Sequence, residues 1–215
     1  MARNRVYAIV EGHGEADPPE PGQSSATTAL ILKLLHDLQC WALFPAKRPW
    51  RLASCGDFFA DDKLENVIRA HLNFQDCAAI LVLVDMDDNC PGEEGPKLAG
   101  RIRALGELPF SVVVVCAKCE YEAWFLASLE TIQLGRTYPG DPEEKRDAKG
   151  WLKQQFGYKE VRDQAQYTQA LDIELARQRS RSFRRLYHAF EECIEASNHG
   201  GTVISPLSGA QGDAL

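Results

Sequence analysis

Ala79-Ile80-Leu81-Val82-Leu83-Val84-Asp85-Met86-Asp87-Asp88 decides the fold: six apolar residues run without interruption into a group of acids. A strand that is apolar throughout belongs inside a parallel sheet covered by helices on both faces, whereas a strand with one wet face would alternate. A second run, residues 5–10, also ends in an acid, Glu11 of Val10-Glu11-Gly12-His13-Gly14-Glu15. Parallel sheets take their ligands beyond the carboxyl ends of their strands, so Glu11, Asp85 and Asp87 are expected at one edge. Carboxylates brought that close repel and take up protons unless a cation joins them. A hard divalent ion is the natural partner, and Mg²⁺ uses a few carboxylates while leaving its other positions to water or phosphate.

Outward from this run the chain alternates strand and helix. Strands are expected at 5–10, near 50–54, at 79–84 and at 111–116, with helices at about 24–39, 61–74, 96–106 and 121–129. With right-handed crossovers this is an α/β fold, a parallel sheet of about four strands flanked by helices. Ser24, Ser25, Asp61 and Asp62 suit helix starts, and Pro109 follows a helix stop at Gly106. Residues 16–24 are too rich in Pro for helix or central strand and suit a flap beside the acids. Gly and Pro make 130–142 a linker. The expected organisation is an α/β domain over 1–130, a helical C-terminal extension packed on it over 143–197, and a flexible Gly/Ser-rich tail over 198–215. Within the extension, helical periodicity covers 149–156, 167–178 and 182–196.

A chain of 215 residues with 45% hydrophobic content can bury one substantial core. No apolar run approaches the ~20 residues needed to cross a bilayer, and the opening Met1-Ala2-Arg3-Asn4-Arg5 lacks the pattern of a secretory signal, so a cytoplasmic protein without membrane partners is expected. Seven cysteines, an odd number scattered through strands and helices, fit reduced buried thiols. Cys116 and Cys119 form a Cys-x-x-Cys without a second pair or a nearby histidine cluster. They stand at a strand end rather than the helix start that would lower a thiol pKa, so zinc and redox roles are set aside. The net charge of −7 opposes polyanion binding over the whole surface, yet residues 143–190 carry 11 Lys and Arg against 7 Asp and Glu. Their densest stretch, Arg177 to Arg185, faces either a phosphate backbone or plain solvent.

Asp85 and Asp87, two apart at a strand end, are expected to leave on the same face, with Asp88 pointing elsewhere or in the turn. If the first and third strands are neighbours, Glu11 joins them as a ligand or as a general base toward water, all within ~8 Å. Glu120 and Glu122 follow the fourth strand and either extend the acidic edge or simply start the next helix, where its dipole favours them. Other chemistries fit less well. The Asp-x-Asp of haloacid-dehalogenase-type phosphatases belongs on the first strand, receiver domains pair two acids there, and Gly12 and Gly14 are too close together for a Walker loop or a dinucleotide fingerprint.

The pattern Glu-Gly-x-x-Glu after the first strand and Asp-x-Asp after the third resembles the TOPRIM domain of topoisomerases, primases and OLD-type nucleases. More specifically, residues 10–15, 85–91 and 120–126, together with Lys149-Gly150-Trp151-Leu152 and Arg181-Ser182-Phe183-Arg184-Arg185, resemble the bacterial family catalogued as domain of unknown function 4276. The resemblance implies a TOPRIM-like sheet and phosphodiester chemistry with Mg²⁺ or Mn²⁺. It implies Glu11 as the general acid/base or a metal ligand and Asp85 and Asp87 as holders of the metal, which makes these three the catalytic residues, and it adds Glu120 and Glu122 as second-site acids; Asp88 beside them is a further metal-ligand candidate. Lys149, Arg181 and Arg184 are then expected to contact nucleic acid, DNA ahead of RNA. The stretch 16–24 departs from the family by its length, which leaves the geometry beside Glu15 open. The resemblance also implies an ATPase partner in bacterial defence, and a homodimer is compatible with it. Three readings stand: a metal-dependent nuclease, a conditionally active metal-binding subunit that mainly binds an ATPase, and a phosphatase or nucleotide hydrolase.

Overall fold

The computed structural model describes residues 3–207. Its sheet contains β1 (Arg5–Val10), β2 (Phe44–Pro45), β3 (Trp50–Arg51), β4 (Cys77–Asp85), β5 (Ser111–Ala117) and β6 (Ile204–Ser205). Every pairing is parallel. The order is β2-β1-β4-β5-β6, with β3 also against β1. β2 and β3 share the outer side of β1, because β4 takes the other. The three long strands are the apolar runs of the sequence, and β2, β3 and β6 contribute two residues each.

Both faces of the long strands are covered, as their composition demands. Val6, Ala8 and Val10 of β1, with Ala79, Leu81 and Leu83 of β4 and Val113 and Val115 of β5, belong to one core. That core includes residues from α2 (Ala26–Asp37), α6 (Ala123–Ala127), α7 (Leu129–Ile132) and from four later helices. These are α8 (Ala148–Phe156), α9 (Glu160–Ala170), α10 (Ile173–Arg179) and α11 (Arg181–Asn198). The alternate residues, such as Ile80, Val82, Val112 and Val114, pack with α3 (Cys55–Phe59), α4 (Lys63–Ala70) and α5 (Pro91–Arg103). The chain leaves β1 toward β2 and leaves β4 toward β5, in opposite directions. The crevice between the carboxyl ends of β1 and β4 is therefore the topological switch point, where open α/β sheets hold ligands.

Four details differ from the sequence reading. A short α1 (His13–Ala16) follows β1 directly. The helix expected from residue 96 begins at Pro91, so Pro96 lies inside α5, where its missing N–H deprives only the partly exposed first turn. The helix expected over 167–178 is two: α9 ends at Ala170, and the Asp172 side chain accepts the Leu175 N–H at 2.9 Å to start α10. The tail expected to be flexible from residue 198 instead adds β6 to the sheet, with Val112 N–H donating to the Val203 carbonyl at 2.8 Å; residues 208–215 lie outside the described residues. α11 lays Phe183, Leu186, Tyr187, Phe190 and Cys193 on the core at helical spacing, and the Trp124 indole N–H donates to Ser182 Oγ at 2.8 Å.

Candidate functional site

Glu11 follows β1 and Asp85 ends β4, and the register that sets Ile9 beside Val82 makes these neighbouring strand ends. Asp85 continues the row Ala79, Leu81, Leu83 toward the α2 side, and its Oδ1 accepts the Tyr121 N–H at 3.0 Å. Asp87 does not continue the strand. It takes left-handed backbone, φ 46°, which aspartate tolerates, and its N–H donates to the Cys119 carbonyl at 2.9 Å. The alternation expected to put Asp85 and Asp87 on one face therefore does not apply, although Asp87 still acts on Glu11 as a like charge. Asp88 is exposed and pairs with Arg146. Glu120 accepts the Lys149 N–H at 3.3 Å, so it serves the N-terminus of α8 rather than the helix that follows it in sequence. Glu122 is fully enclosed and accepts the Tyr158 hydroxyl at 2.9 Å.

Three residues beyond the expected set complete the group. Glu15, on α1, is buried and accepts the Gln164 amide at 2.9 Å. Glu160 of α9 accepts the Gly14 N–H at 3.2 Å and the Lys149 ammonium at 3.0 Å. A Cβ at Gly14 would stand 1.7 Å from Gln164 Oε1 and 2.6 Å from Glu160 Cγ, so glycine leaves room for the two α9 side chains that bond α1. Glu15 was visible as the last residue of Glu-Gly-x-x-Glu. Glu160 and Gln164, four apart on one helix, carry no signal until α9 is known to lie across α1.

Lys149, expected from the helical part as a cationic contact for a phosphate-bearing substrate at the acidic edge, lies within the acidic group, with Nζ 3.0 Å from Glu160 and 3.9 Å from Glu122. Burial opposes its charge, yet Glu122 and the bond to Glu160 outweigh that and hold its pKa above the ordinary value. Burial raises Asp85 well above the usual carboxylate range, with Glu15, Glu122 and Glu11 adding repulsion. Burial likewise raises Glu11 and Glu15, and pushes Glu122 up to about 8 despite Lys149. Glu11 Oε2, Glu15 Oε2 and Glu122 Oε2 are buried without a hydrogen-bond partner. Bare carboxylate oxygens that repel one another form a donor set suited to a hard divalent cation. Among the described residues, however, no group of three or more His, Cys, Asp or Glu is so placed that it could hold a metal ion as it stands. The Tyr121 and Lys149 backbone N–H groups engage Asp85 and Glu120, and the Lys149 ammonium lies among the others.

Arg181 is exposed and Arg184 half-buried at the start of α11, whose Ser182 N–H donates to Glu143 at 2.7 Å. Within the same basic stretch Arg177 lies over the Tyr187 ring at 3.9 Å, and Arg179 pairs with Glu130 at 2.7 Å. Cys116 and Cys119 are buried free thiols, and burial pushes Cys116 up to about 12, in keeping with packing rather than reactivity.

A family model described as "Domain of unknown function (DUF4276)" matches residues 20–191. The match takes in the acids after β4 and β5 and Lys149, and begins after the Glu11 to Glu15 motif. No curated protein and no solved structure matches the chain.

Proposed function

Because the chain belongs to the DUF4276 family, which is associated with TOPRIM/OLD-type nucleases, we propose that it is a metal-dependent nuclease whose centre is the crevice between β1 and β4. The observation that carries this reading is the set of buried, bare carboxylate oxygens at the switch point, on half-buried Glu11 and on enclosed Glu15 and Glu122, around Asp85. Asp85, Glu11 and Glu122 would hold Mg²⁺ or Mn²⁺, with Asp87 at the exposed mouth. When bound, the metal supplies Lewis-acid stabilisation of charge on a phosphoryl oxygen. The remaining roles belong to the chain. Glu11, with burial raising its proton affinity and Asp87 beside it, is placed to take the proton of an attacking water. Lys149 neutralises part of the cluster and offers an ammonium to a phosphate that reaches it. Asp88 and Glu120 are engaged elsewhere and are left as peripheral candidates.

The test is cleavage of single- and double-stranded DNA and RNA by the whole chain with and without Mn²⁺. Asp85→Asn and Glu11→Gln should each lower metal-dependent cleavage by about two orders of magnitude while circular dichroism stays unchanged. Cleavage that persists in both variants rejects the reading.

The position of Lys149 favours a second reading, a conditionally active subunit. An internal cation already sits where a metal must compete, so a partner, such as the ATPase that the resemblance implies, would act by drawing α8 away. Under that reading the isolated chain is silent, Lys149→Met activates it, and an added partner has the same effect.

A further inference from the structure

We propose that the outer edge of the sheet, residues 41–51 along β2 and β3, binds a single strand of nucleic acid and leads its backbone to the carboxylates at the end of β1. The fate of the bound strand rests on the nuclease reading; its capture rests on a separate set of residues.

From residue 38 to residue 56 the chain has no Asp or Glu, while Lys47, Arg48 and Arg51 are all exposed. Among the described residues none of the three makes an ion pair or a side-chain hydrogen bond. The later basic segment is different, since Lys149, Arg177 and Arg179 are each committed to a partner. In a chain of net charge −7, a stretch of uncompensated cations is a local site for a polyanion.

Interleaved with these cations are three exposed aromatic side chains, Trp41 at 65%, Phe44 at 42% and Trp50 at 45% exposure. Single exposed apolar residues are ordinary, but three large rings within ten residues form a patch. Phe44 is in register with Arg5 and Trp50 with Ile9, positions of the same parity on β1, so both rings lie on one face, about 13 Å apart along the strand. The Arg5 guanidinium packs over the Phe44 ring at 5.7 Å and steadies it. Unpaired bases stack on such rings whatever their identity while flanking cations hold the phosphates; bases in a duplex are already stacked on each other. The strip also leads somewhere. β3 sets Arg51 beside Val10, one residue before Glu11, so its side chain leaves the edge toward the face opposite the rings, where the Asp85 row lies.

The experiment is fluorescence anisotropy of labelled oligo(dT) and oligo(U) with the full chain in EDTA, across a salt series. Arg48→Ala with Arg51→Ala should weaken binding at least tenfold and reduce the slope of log affinity against log salt by about 1.4, two phosphate contacts on a single strand. Arg48→Lys with Arg51→Lys should keep the slope. Trp50→Ala should weaken binding by roughly five- to a hundredfold with the slope unchanged. Equal binding by every variant overturns the strip. So does failure of the wild type to bind either probe at low salt, including the case in which Trp50→Ala abolishes self-association and the edge is a protein contact. Repeating the assay with Mn²⁺ separates the two readings. Strip-dependent binding without cleavage keeps the strip and rejects the nuclease, whereas metal-dependent cleavage with unchanged strip variants rejects the strip alone.

Discussion

Glu122 is enclosed, hydrogen-bonded on one oxygen and bare on the other, and burial pushes its pKa up to about 8 from an ordinary 4.5. A carboxyl raised in the folded state contributes stability that is fully present below its unfolded pKa and is lost as pH rises through the folded one. The metal-free protein should therefore lose stability between about pH 5 and pH 8, by on the order of a few kcal/mol from this group. Glu122→Gln keeps an acceptor for Tyr158 and removes the titration. In EDTA its melting temperature should match the wild type near pH 5 and exceed it by several degrees at pH 8. Parallel melting curves for the two proteins across that range would show that Glu122 stays ionised and is satisfied by Lys149. At this scale the sequence was informative about identity and poor about orientation. Glu11 and Asp85 stood out because each directly ends an apolar run, whereas Glu122 could be read either as part of the acidic edge or as a helix start. The turn that takes Asp87 out of strand geometry left no mark, since Asp suits both a metal site and a left-handed turn.

The elements themselves follow from local rules wherever a segment has one dominant signal. β4 and β5 are apolar without interruption and could pack only inside a covered parallel sheet. α9 and α10 read as one helix because the spacing of apolar residues survives the break; the interruption depends on Asp172 bonding back to Leu175, a competition between cap and helix interior that periodicity does not register. β2 and β6 are too short for any pattern, and the strand expected near 50–54 is held to the two residues of β3; all three form where β1 and β5 offer open edges. The start of α11 illustrates how a single side chain fixes an element. Ser180 is buried, accepts the Phe183 N–H at 3.0 Å and donates to Glu143 at 2.7 Å, tying the helix to the loop before α8. Ser180→Ala should cost about 1–2 kcal/mol, since it removes a cap and leaves Glu143 with one donor fewer. For a chain of this size that is a loss of roughly 2–8 °C in melting temperature, readable by calorimetry. Wild-type stability in Ser180→Ala would mean that α11 is held by its apolar face alone.

Across the whole molecule, Lys149 joins the α/β sheet to the helices that follow it. It comes from α8, pairs with Glu160 of α9 and faces the carboxylates of the β1–β4 crevice, so one ammonium links α8 and α9 to the charge balance of the site. Removing one member of such a group leaves the others buried and unpaired, which is more damaging than the pair itself was stabilising. Lys149→Met keeps the aliphatic stem and deletes the charge. In EDTA at pH 8 it should melt well below the wild type, and the gap should narrow near pH 5, where the carboxyls carry protons. A divalent cation that replaces the lost charge stabilises the folded form by about 2.7 kcal/mol at a hundred times its dissociation constant. Mn²⁺ should therefore raise the melting temperature of Lys149→Met by more than that of the wild type, where the metal must first displace Lys149, and should leave Lys149→Met with Asp85→Asn largely unmoved. Equal shifts in all three proteins would place the bound metal outside the crevice, and with it the case for chemistry between β1 and β4.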